Sequence, residues 1–343
     1  MAEILTPKNL IIKIIIGLII LMIVMGLCSL VGTQKISLEK VFAGPGQLPG
    51  ENTDYEIFVG VRLPRVILAA MVGAALACSG VVLQAILRNP LADPYILGIS
   101  SGAGLGATAA ILFGVTISFW AGSPIAVFAF AGAVMTVWLV WYIGNAAGKS
   151  QVTGLLLAGV VVNSFLSAVI MFLTSIAKSE QVYSTIFWLM GNITEKDSPA
   201  LWLGAICILA GITGLFSICQ RLNVLTLGEE EAKSLGVNVL KTRVIALGLA
   251  AFITAVAVSL SGLVGFVGLI IPHGVRLIFG PDHRQLLPVS AIIGGAFLVV
   301  ADTIARTIVA PAQLPVGVIT AAAGGPFFLF LLAKYSRKVG WLK

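Results

Sequence analysis

Charged residues are scarce in this chain of 343 residues: they make up 10% of it, whereas 59% of its residues are hydrophobic. Water-soluble domains carry about a quarter charged residues. The chain therefore has too little polar surface to cover a soluble globule of its size. The composition predicts that lipid covers most of the surface and that the chain is an integral membrane protein.

Groups that carry chemistry are also few. The two histidines, His273 and His283, are ten residues apart and form no metal-ligand set with the neighbouring Asp282. The four cysteines include no CxxC pair, which leaves metal and disulfide roles without support. No Ser/His/Asp or Cys/His set and no paired buried carboxylates can be assembled. The sequence thus predicts no catalytic residue, no metal site and no cofactor.

Nucleotide-binding and nucleic-acid-binding motifs are missing as well. Residues 144–150 (GNAAGKS) have three residues between the glycines, whereas a phosphate-binding loop needs four. Gly98, Gly102 and Gly106 recur every fourth residue, a spacing typical of close helix packing in membranes. The net charge of +7 comes without basic runs interleaved with aromatics, so nucleic acid is excluded as a partner. Anchoring at the membrane surface explains the basic residues better.

Long apolar runs are what the sequence has instead. Runs of about 20 residues, long enough to cross a bilayer, lie at 10–32, 63–87, 95–115, 124–146, 151–176, 200–220, 286–307 and 315–334. The stretch 244–279 would make a helix of about 54 Å against a hydrocarbon core of about 30 Å, so we expect a break at 261–268. This predicts an all-α fold of about ten transmembrane helices in one domain, residues 1–343. A further apolar piece, 183–191, is too short to cross.

The basic residues support ten spans with both termini in the cytoplasm. With that topology 14 of the 21 lysines and arginines lie on the cytosolic side, as the positive-inside rule requires. The most polar loop, residues 220–241, is then cytosolic and contains a short amphipathic helix that ends at Gly236. Residues 33–60 form the main outer segment.

Two of three polar features leave alternatives open. Arg62 and Arg65 begin the second span at its outer end, either as snorkelling anchors or as a docking point for an acidic partner. Residues 88–94 hold two prolines, and form either an ordinary turn or a constriction in a pathway. Asp302 and Arg306 are spaced as an i,i+4 pair, which needs no function to explain it.

Two segments of the chain echo each other. Residues 75–82 resemble residues 257–264, and each is followed by a proline, Pro90 or Pro272. The second and seventh spans would run in opposite directions. Inverted repeats of this kind, here spans 2–5 and 7–10, build transport pathways in membrane proteins.

A set of ordered motifs gives the chain a family resemblance. They include RLPR (62–65), LLLAG (155–159), GFVGLIIPH (265–273), DHR (282–284) and LPVG (314–317). In this order, over nearly the whole chain, they resemble the permease family of iron-siderophore and vitamin B12 ABC importers. The resemblance implies a BtuC-like permease in a bacterial cell membrane, paired with a second permease subunit as a homodimer or heterodimer.

The resemblance also implies partners and site residues. Cytosolic ATPase subunits would grip the loop after the sixth span, through Leu227, Gly228, Glu229, Ala232, Leu235, Gly236 and Val237. An extracytoplasmic siderophore-binding protein would dock on Arg62, Arg65 and Arg306. An inner gate would lie at Asn89, Leu91, Val152 and Thr153.

The predicted function is that of a permease subunit moving a ferric siderophore, with ATP hydrolysed by a separate subunit. Cobalamin and haem importers share these motifs and stay open as alternatives. An ion-coupled secondary transporter is disfavoured because acidic residues are nearly absent from the spans. An intramembrane enzyme is disfavoured because paired catalytic groups are missing.

Overall fold

The computed structural model describes residues 6–46, 51–116, 123–146, 151–194 and 198–339, which contain helices and no strand. The helices in this part of the chain are α1 (Pro7–Leu30), α2 (Leu38–Phe42), α3 (Thr53–Tyr55), α4 (Leu63–Ile86), α5 (Ile99–Leu112), α6 (Pro124–Ala146), α7 (Gln151–Ser175), α8 (Ser179–Leu189), α9 (Ser198–Ser217), α10 (Cys219–Leu225), α11 (Glu229–Ser234), α12 (Val239–Ser261), α13 (Val267–Phe279), α14 (His283–Thr307) and α15 (Val316–Val339). A π-helical stretch, Glu56–Arg62, leads into α4, and a 3₁₀ turn, Pro94–Leu97, precedes α5.

Ten of these helices account for the predicted spans. By length and composition, seven helices of the described chain can cross a membrane: α1, the stretch that ends in α4, and α6, α7, α9, α12 and α14. Three shorter apolar helices complete the set, namely α5, α13 and the first part of α15. The prediction of about ten membrane helices is thereby confirmed. The apolar piece at 183–191 falls mostly in α8, which has 11 residues and is too short to cross, as predicted.

The long stretch 244–279 breaks where the glycines predict. Helix α12 ends at Ser261, and Gly262 has a φ of 67°, a conformation that glycine adopts without strain. Phe266 also has a positive φ, 69°, and α13 starts at the next residue. A Cβ on Gly262 would lie 2.3 Å from the Trp188 carbonyl oxygen, so the break also needs glycine for space.

Successive spans alternate in direction, which divides the molecule into two ends. The loop end holds the start of α1 and the α10–α11 loop: there Lys13 Nζ donates to Gln285 Oε1 at 3.2 Å, and Arg88 donates to the Leu225 carbonyl at 3.2 Å. The arginine end is opposite: there Arg62 donates to the Leu30 carbonyl at 2.8 Å. The polar contacts at the two ends therefore agree with the alternating directions of the spans.

Helix α4 lies at the centre of the bundle, buried along most of its length, whereas the most apolar window of α1 has no buried residue. Glycine lets neighbouring backbones touch α4. A Cβ on Gly73 would lie 2.2 Å from the Gly294 carbonyl oxygen, and one on Gly80 would lie 1.8 Å from that of Gly268. Such contacts between small residues are the usual basis of close helix packing in membranes.

The glycines of α5 pack as their spacing predicts. A Cβ on Gly102 would lie 2.5 Å from the Gly132 carbonyl oxygen, and one on Gly106 would lie 2.1 Å from that of Phe128, both in α6. These glycines therefore serve close packing between α5 and α6. Helices α4 and α12, which begin the two predicted repeat halves, also lie side by side in opposite directions.

Candidate functional site

The loop between α9 and α12 consists of two short helices, α10 and α11, joined at Gly228. Helix α11 ends in a Schellman motif: Gly236 N–H donates to the Lys233 carbonyl and Val237 N–H to the Ala232 carbonyl, both at 2.9 Å. Gly236 supplies the left-handed conformation that this motif needs, with a φ of 77°. The predicted short helix ending at Gly236 is confirmed.

Three attachments around α11 hold this loop against the bundle. Ala232 is fully buried within the main hydrophobic core. Arg243 of α12 forms a salt bridge with Glu229 at 2.6 Å, and Arg88, just after α4, donates to the Leu225 carbonyl. The hydrogen bond from Arg243 is the main reason that the pKa of Glu229 lies below its usual value. The loop is therefore attached to two spanning helices by polar contacts and to the core by packing.

The predicted coupling residues differ in their exposure. Leu227 is 65% exposed and Leu235 is 62% exposed, on either side of the strongly acidic α11. Gly236 is also exposed, whereas Glu229 and Val237 are partly exposed. Gly228 and Ala232 are buried, so they shape and anchor the loop and do not present a side chain to a neighbour. The two exposed leucines leave apolar area on an otherwise polar loop.

At the arginine end, Arg62 holds the end of α1. Its guanidinium donates to the carbonyls of Ser29 at 3.2 Å, Leu30 at 2.8 Å and Gln34. The last carbonyls of a helix lack partners within the helix and carry its negative dipole end, so a buried cation suits this position. A Cβ on Gly32 would lie 2.6 Å from the guanidinium, which explains the glycine at the turn after α1.

Arg65 and Arg306 share one carboxylate, that of Asp302. Arg65 donates to both oxygens of Asp302 at 3.0 Å, through Nε and Nη2, and its Nη1 donates to Gln313 Oε1 at 3.1 Å. The Arg306 Nε lies 3.8 Å from Asp302 Oδ2, and Arg306 Nη2 donates to the Cys28 carbonyl at 2.6 Å. This arginine cluster, Arg62, Arg65, Asp302 and Arg306, therefore joins α1, α4 and α14.

The snorkelling interpretation of Arg62 and Arg65 is wrong. Arg62, Arg65 and Arg306 are 4%, 7% and 6% exposed, so their guanidiniums point into the protein. Burying a charge is costly unless it is paired and hydrogen bonded. Arg65 and Arg306 pair with Asp302, whereas, among the described residues, Arg62 is held by backbone carbonyls alone. A hydrogen bond connects Arg65 to Gln313, and Gln313 is exposed at the surface.

The predicted gate residues lie at the loop end. Asn89 Oδ1 accepts a hydrogen bond from Leu91 N–H at 2.9 Å, and both residues are exposed in the turn after α4. Thr153 is exposed in the first turn of α7, and the side chain of Val152 lies outside the described residues. A Cβ on Gly159 would lie 2.1 Å from the Ile96 carbonyl oxygen, so α7 packs closely against the same connection.

This connection is tied to the break between α12 and α13. The Tyr95 hydroxyl donates to the Val264 carbonyl at 2.9 Å and accepts from the Val264 N–H at 3.0 Å. The turn after α4 and the broken segment thus form one unit at the inner part of the bundle.

Sequence reasoning missed one polar joint at the loop end. Asn223 of α10 donates through Nδ2 to Asp282 Oδ1 at 2.8 Å, and its Oδ1 accepts from the His283 N–H at 2.8 Å. Arg284 also binds Asp282, with Nη2 2.6 Å from Oδ2. Burial by itself would raise the pKa of Asp282, but the hydrogen bonds from Arg284 and Asn223 outweigh it and lower the pKa to about 2. The DHR motif marked half of this joint, and nothing in the sequence marked Asn223 as its partner.

No metal site emerges from the described residues. Among them, no three His, Cys, Asp or Glu side chains lie together in a way that could hold a metal ion. All four cysteines are free, and two of them, Cys78 and Cys219, are buried.

Comparison with known proteins places these features in a family. The model of the FecCD transport family matches residues 18–334. The chain is 44% identical over 296 residues to the cobalamin import system permease protein BtuC of Halobacterium salinarum, covering 86% of this chain and 78% of that protein. It is 41% identical over 282 residues to the hemin transport system permease protein HmuU of Yersinia pestis, covering 82% and 84%. A solved metal-chelate type ABC transporter in an inward-facing conformation matches with a TM-score of 0.80 and 32% identity, covering 96% of this chain and all of that one.

Proposed function

The chain belongs to the FecCD transport family, and we propose that it carries a ferric siderophore across the cell membrane as the permease of a binding-protein-dependent importer. Members of this family are multi-pass permease subunits of ABC importers. They pair with a second permease and with ATPase subunits, which perform the hydrolysis, so the chain is not itself an enzyme. We further propose the cargo, the binding protein, the site residues and the orientation of the termini.

The exposed leucines of the α10–α11 loop are the observation that carries the coupling part of the proposal. Leu227 and Leu235 stand out from a loop that is fixed to the bundle by Ala232 and by the Glu229–Arg243 salt bridge. A loop that is attached to the bundle and exposes apolar side chains suits a partner that must push on the membrane helices. We infer that ATPase subunits bind here, on the cytosolic side, with both termini of the chain on that side.

This coupling surface is tested by replacing Leu227 and Leu235 with aspartate. We expect the amount of ATPase subunit that co-purifies with the chain to fall at least tenfold, because two charges replace apolar contact area. K233A, on the exposed face of α11, is the matched control and should leave co-purification unchanged. Normal co-purification of the aspartate variant would remove this loop from the proposal.

The arginine cluster is proposed to receive an acidic binding protein at the outer surface. Arg65 donates to Asp302 through Nε and Nη2, and its Nη1 donates to the exposed amide of Gln313. A carboxylate of the partner would replace this neutral acceptor with a charged one, which makes a stronger hydrogen bond with a guanidinium. Arg62 and Arg306 would add to the positive potential that attracts such a partner.

Gln313 allows a test of docking that leaves every arginine in place. The variant Q313E supplies Arg65 with a carboxylate of its own, so binding of the substrate-binding protein to nanodiscs should weaken at least tenfold. Q313A is the matched control, and it should bind at least as well as the natural chain because it removes the competing acceptor. Equal binding by both variants would mean that Arg65 is not a docking residue.

The gate is proposed at Asn89, Leu91, Val152 and Thr153, where the turn after α4 and the start of α7 share the loop end. The described residues offer no metal cluster, which fits a cargo whose iron stays chelated during passage. Cobalamin and haem remain the alternative cargoes, since the relatives named above import them.

Growth distinguishes the cargoes. A deletion strain should fail to grow with a ferric siderophore as its only iron source, and the chain supplied on a plasmid should restore growth. Restored growth on haem, or restored use of cobalamin, with no effect on siderophore use would replace the proposed cargo by that alternative.

An ion-coupled transporter fits the structure less well. If the second span is counted from Leu63, the start of α4, Asp302 is the one acidic residue within the ten described spanning helices, and Arg65 already holds both of its oxygens. Coupling ions need carboxylates that are free to bind them. Uptake into liposomes that contain this chain alone, driven by an ion gradient, would favour the secondary transporter.

A further inference from the structure

Asn223 lies at the junction between the cytosolic loop and helix α14. Its Nδ2 donates to Asp282 Oδ1, and its Oδ1 accepts from the His283 N–H, at 2.8 Å each. The same Oδ1 is 2.6 Å from His283 Nδ1, which donates to it when that nitrogen carries the ring proton. We name these three residues the Asn223 joint.

The joint fixes the start of α14 in several ways. Asp282 is the N-cap of the helix and accepts from the Arg284 N–H at 3.0 Å, while its other bonds go to the Arg284 guanidinium and to Asn223. His283 is 2% exposed. The first N–H groups of a helix lack helical partners, and Asn223 satisfies one of them. A displacement of α10 would therefore break these partly buried hydrogen bonds unless α14 moved with it.

Helix α14 reaches from this joint to the arginine end. Its 25 residues span about 36 Å, and the helix continues through Pro288 to Thr307. Asp302 and Arg306, on its last turns, belong to the arginine cluster. Along its middle, α14 touches α4 backbone to backbone at Gly294 and Gly73. The helix thus packs against α4 in its middle and links the α10–α11 loop, through Asn223, to the arginine cluster.

We propose that Asn223 is a positioning residue that transmits movement of the cytosolic loop into α14 and, through α14, to the arginine cluster. This inference rests on the proposed function, because the movement comes from the ATPase subunits. Asn223 itself lies outside the group of residues proposed to touch those subunits. Its role would be to make α14 follow α10, so that the nucleotide state at one end alters the docking surface at the other.

Hydrogen exchange of the chain in nanodiscs, in complex with its ATPase subunits, tests this transmission. A non-hydrolysable ATP analogue should change amide exchange in the loop, residues 225–237, and at the arginine end of α14, residues 299–307. In N223A the loop should still respond, and the response at residues 299–307 should fall at least fivefold. A merely structural role would not separate the two responses.

Two further variants complete the test. N223D keeps an acceptor for His283 but places a second negative oxygen beside Asp282, so it should lose the remote response even if N223A folds poorly. N238A removes the cap of α12, where Asn238 accepts from the Lys241 N–H at 2.9 Å, without touching α14, and should keep both responses.

The outcomes separate the inference from the function on which it rests. A remote response that persists in N223A or N223D overturns the inference, as does a natural chain whose loop responds while residues 299–307 do not. A natural chain that binds no ATPase subunit overturns the proposed function, and the inference with it.

Discussion

The arginine cluster shows how single polar residues are used in this chain. Arg65 binds both oxygens of Asp302, although the two residues are 237 positions apart in sequence. Arg62 and Arg306 hold carbonyls at the end of α1. Each of these guanidiniums links a peripheral or distant helix to the core, so the residues matter for the fold whatever else binds to them.

The Arg65–Asp302 pair gives a stability prediction. The variant R65A should lose about 3–5 kcal/mol of stability, because it leaves a buried carboxylate without its main partner. Thermal unfolding in detergent measures the loss. The double variant R65A/D302A should recover a large part of it, since the unpaired charge is gone. If the single and double variants melt together, the pair contributes by shape and not by charge.

Asp282 gives a pH prediction. Its pKa is about 2 in the folded chain, below the usual value of about 4, so the ionised form stabilises the fold. This contribution is fully present above about pH 4 and is lost as the pH falls toward 2. The difference in melting temperature between the natural chain and D282N should stay constant from pH 7 to 5 and shrink below pH 4. A difference that grows on acidification would contradict the sign of the shift.

At the scale of helices, glycine decides which elements can touch. Helix α4 meets α13 at Gly80 and Gly268 and meets α14 at Gly73 and Gly294, with no room for a side chain between the backbones. Apolar area alone does not bring helices together in lipid, so close packing of this kind is a main source of stability.

Gly80 tests this packing. In G80A the new Cβ would lie 1.8 Å from the Gly268 carbonyl oxygen, so α4 and α13 must separate. We expect G80A to lose about 3 kcal/mol of stability or more, measured by thermal unfolding. G26A is the matched control, because nothing lies within 4 Å of its Cβ and alanine favours helix. A neutral G80A would show that the two helices are not in backbone contact.

Gly236 tests the loop helix. G236A places alanine at a φ of 77°, at a cost of about 1–2 kcal/mol, although nothing lies within 4 Å of the new Cβ. The end of α11 should loosen, and co-purification of the ATPase subunits should fall severalfold while the bundle stays folded. G248A, in the middle of α12 with equal space, should have no such effect. Matching results for the two variants would show that the Schellman motif plays no part in coupling.

At the scale of the whole molecule, the alternating spans separate the α10–α11 loop from the arginine cluster by the full thickness of the bundle. Each end carries its own polar contacts, and the central helix α4 and the long α14 run between them. A permease that is driven from one side and loaded from the other needs this separation.

Labelling in intact cells tests the orientation. The variant L235C, exposed in the loop, should resist a membrane-impermeant maleimide until the cells are opened, whereas K40C, exposed in the segment after α1, should react at once. Background from the four native cysteines is measured in the unmodified chain. Reaction of L235C in intact cells would reverse the proposed topology.

The sequence by itself determined the spans, the break after Ser261, the short helix ending at Gly236 and the family. These follow from local properties, since the hydropathy of a segment decides whether it crosses a membrane and a glycine cluster decides where a helix stops. Only the tertiary structure decided that the outer arginines point inward, that Ala232 is buried, and that Asn223 binds the start of α14. The partner of a polar side chain in a bundle is set by helices that are distant in sequence, and local patterns carry no record of that pairing.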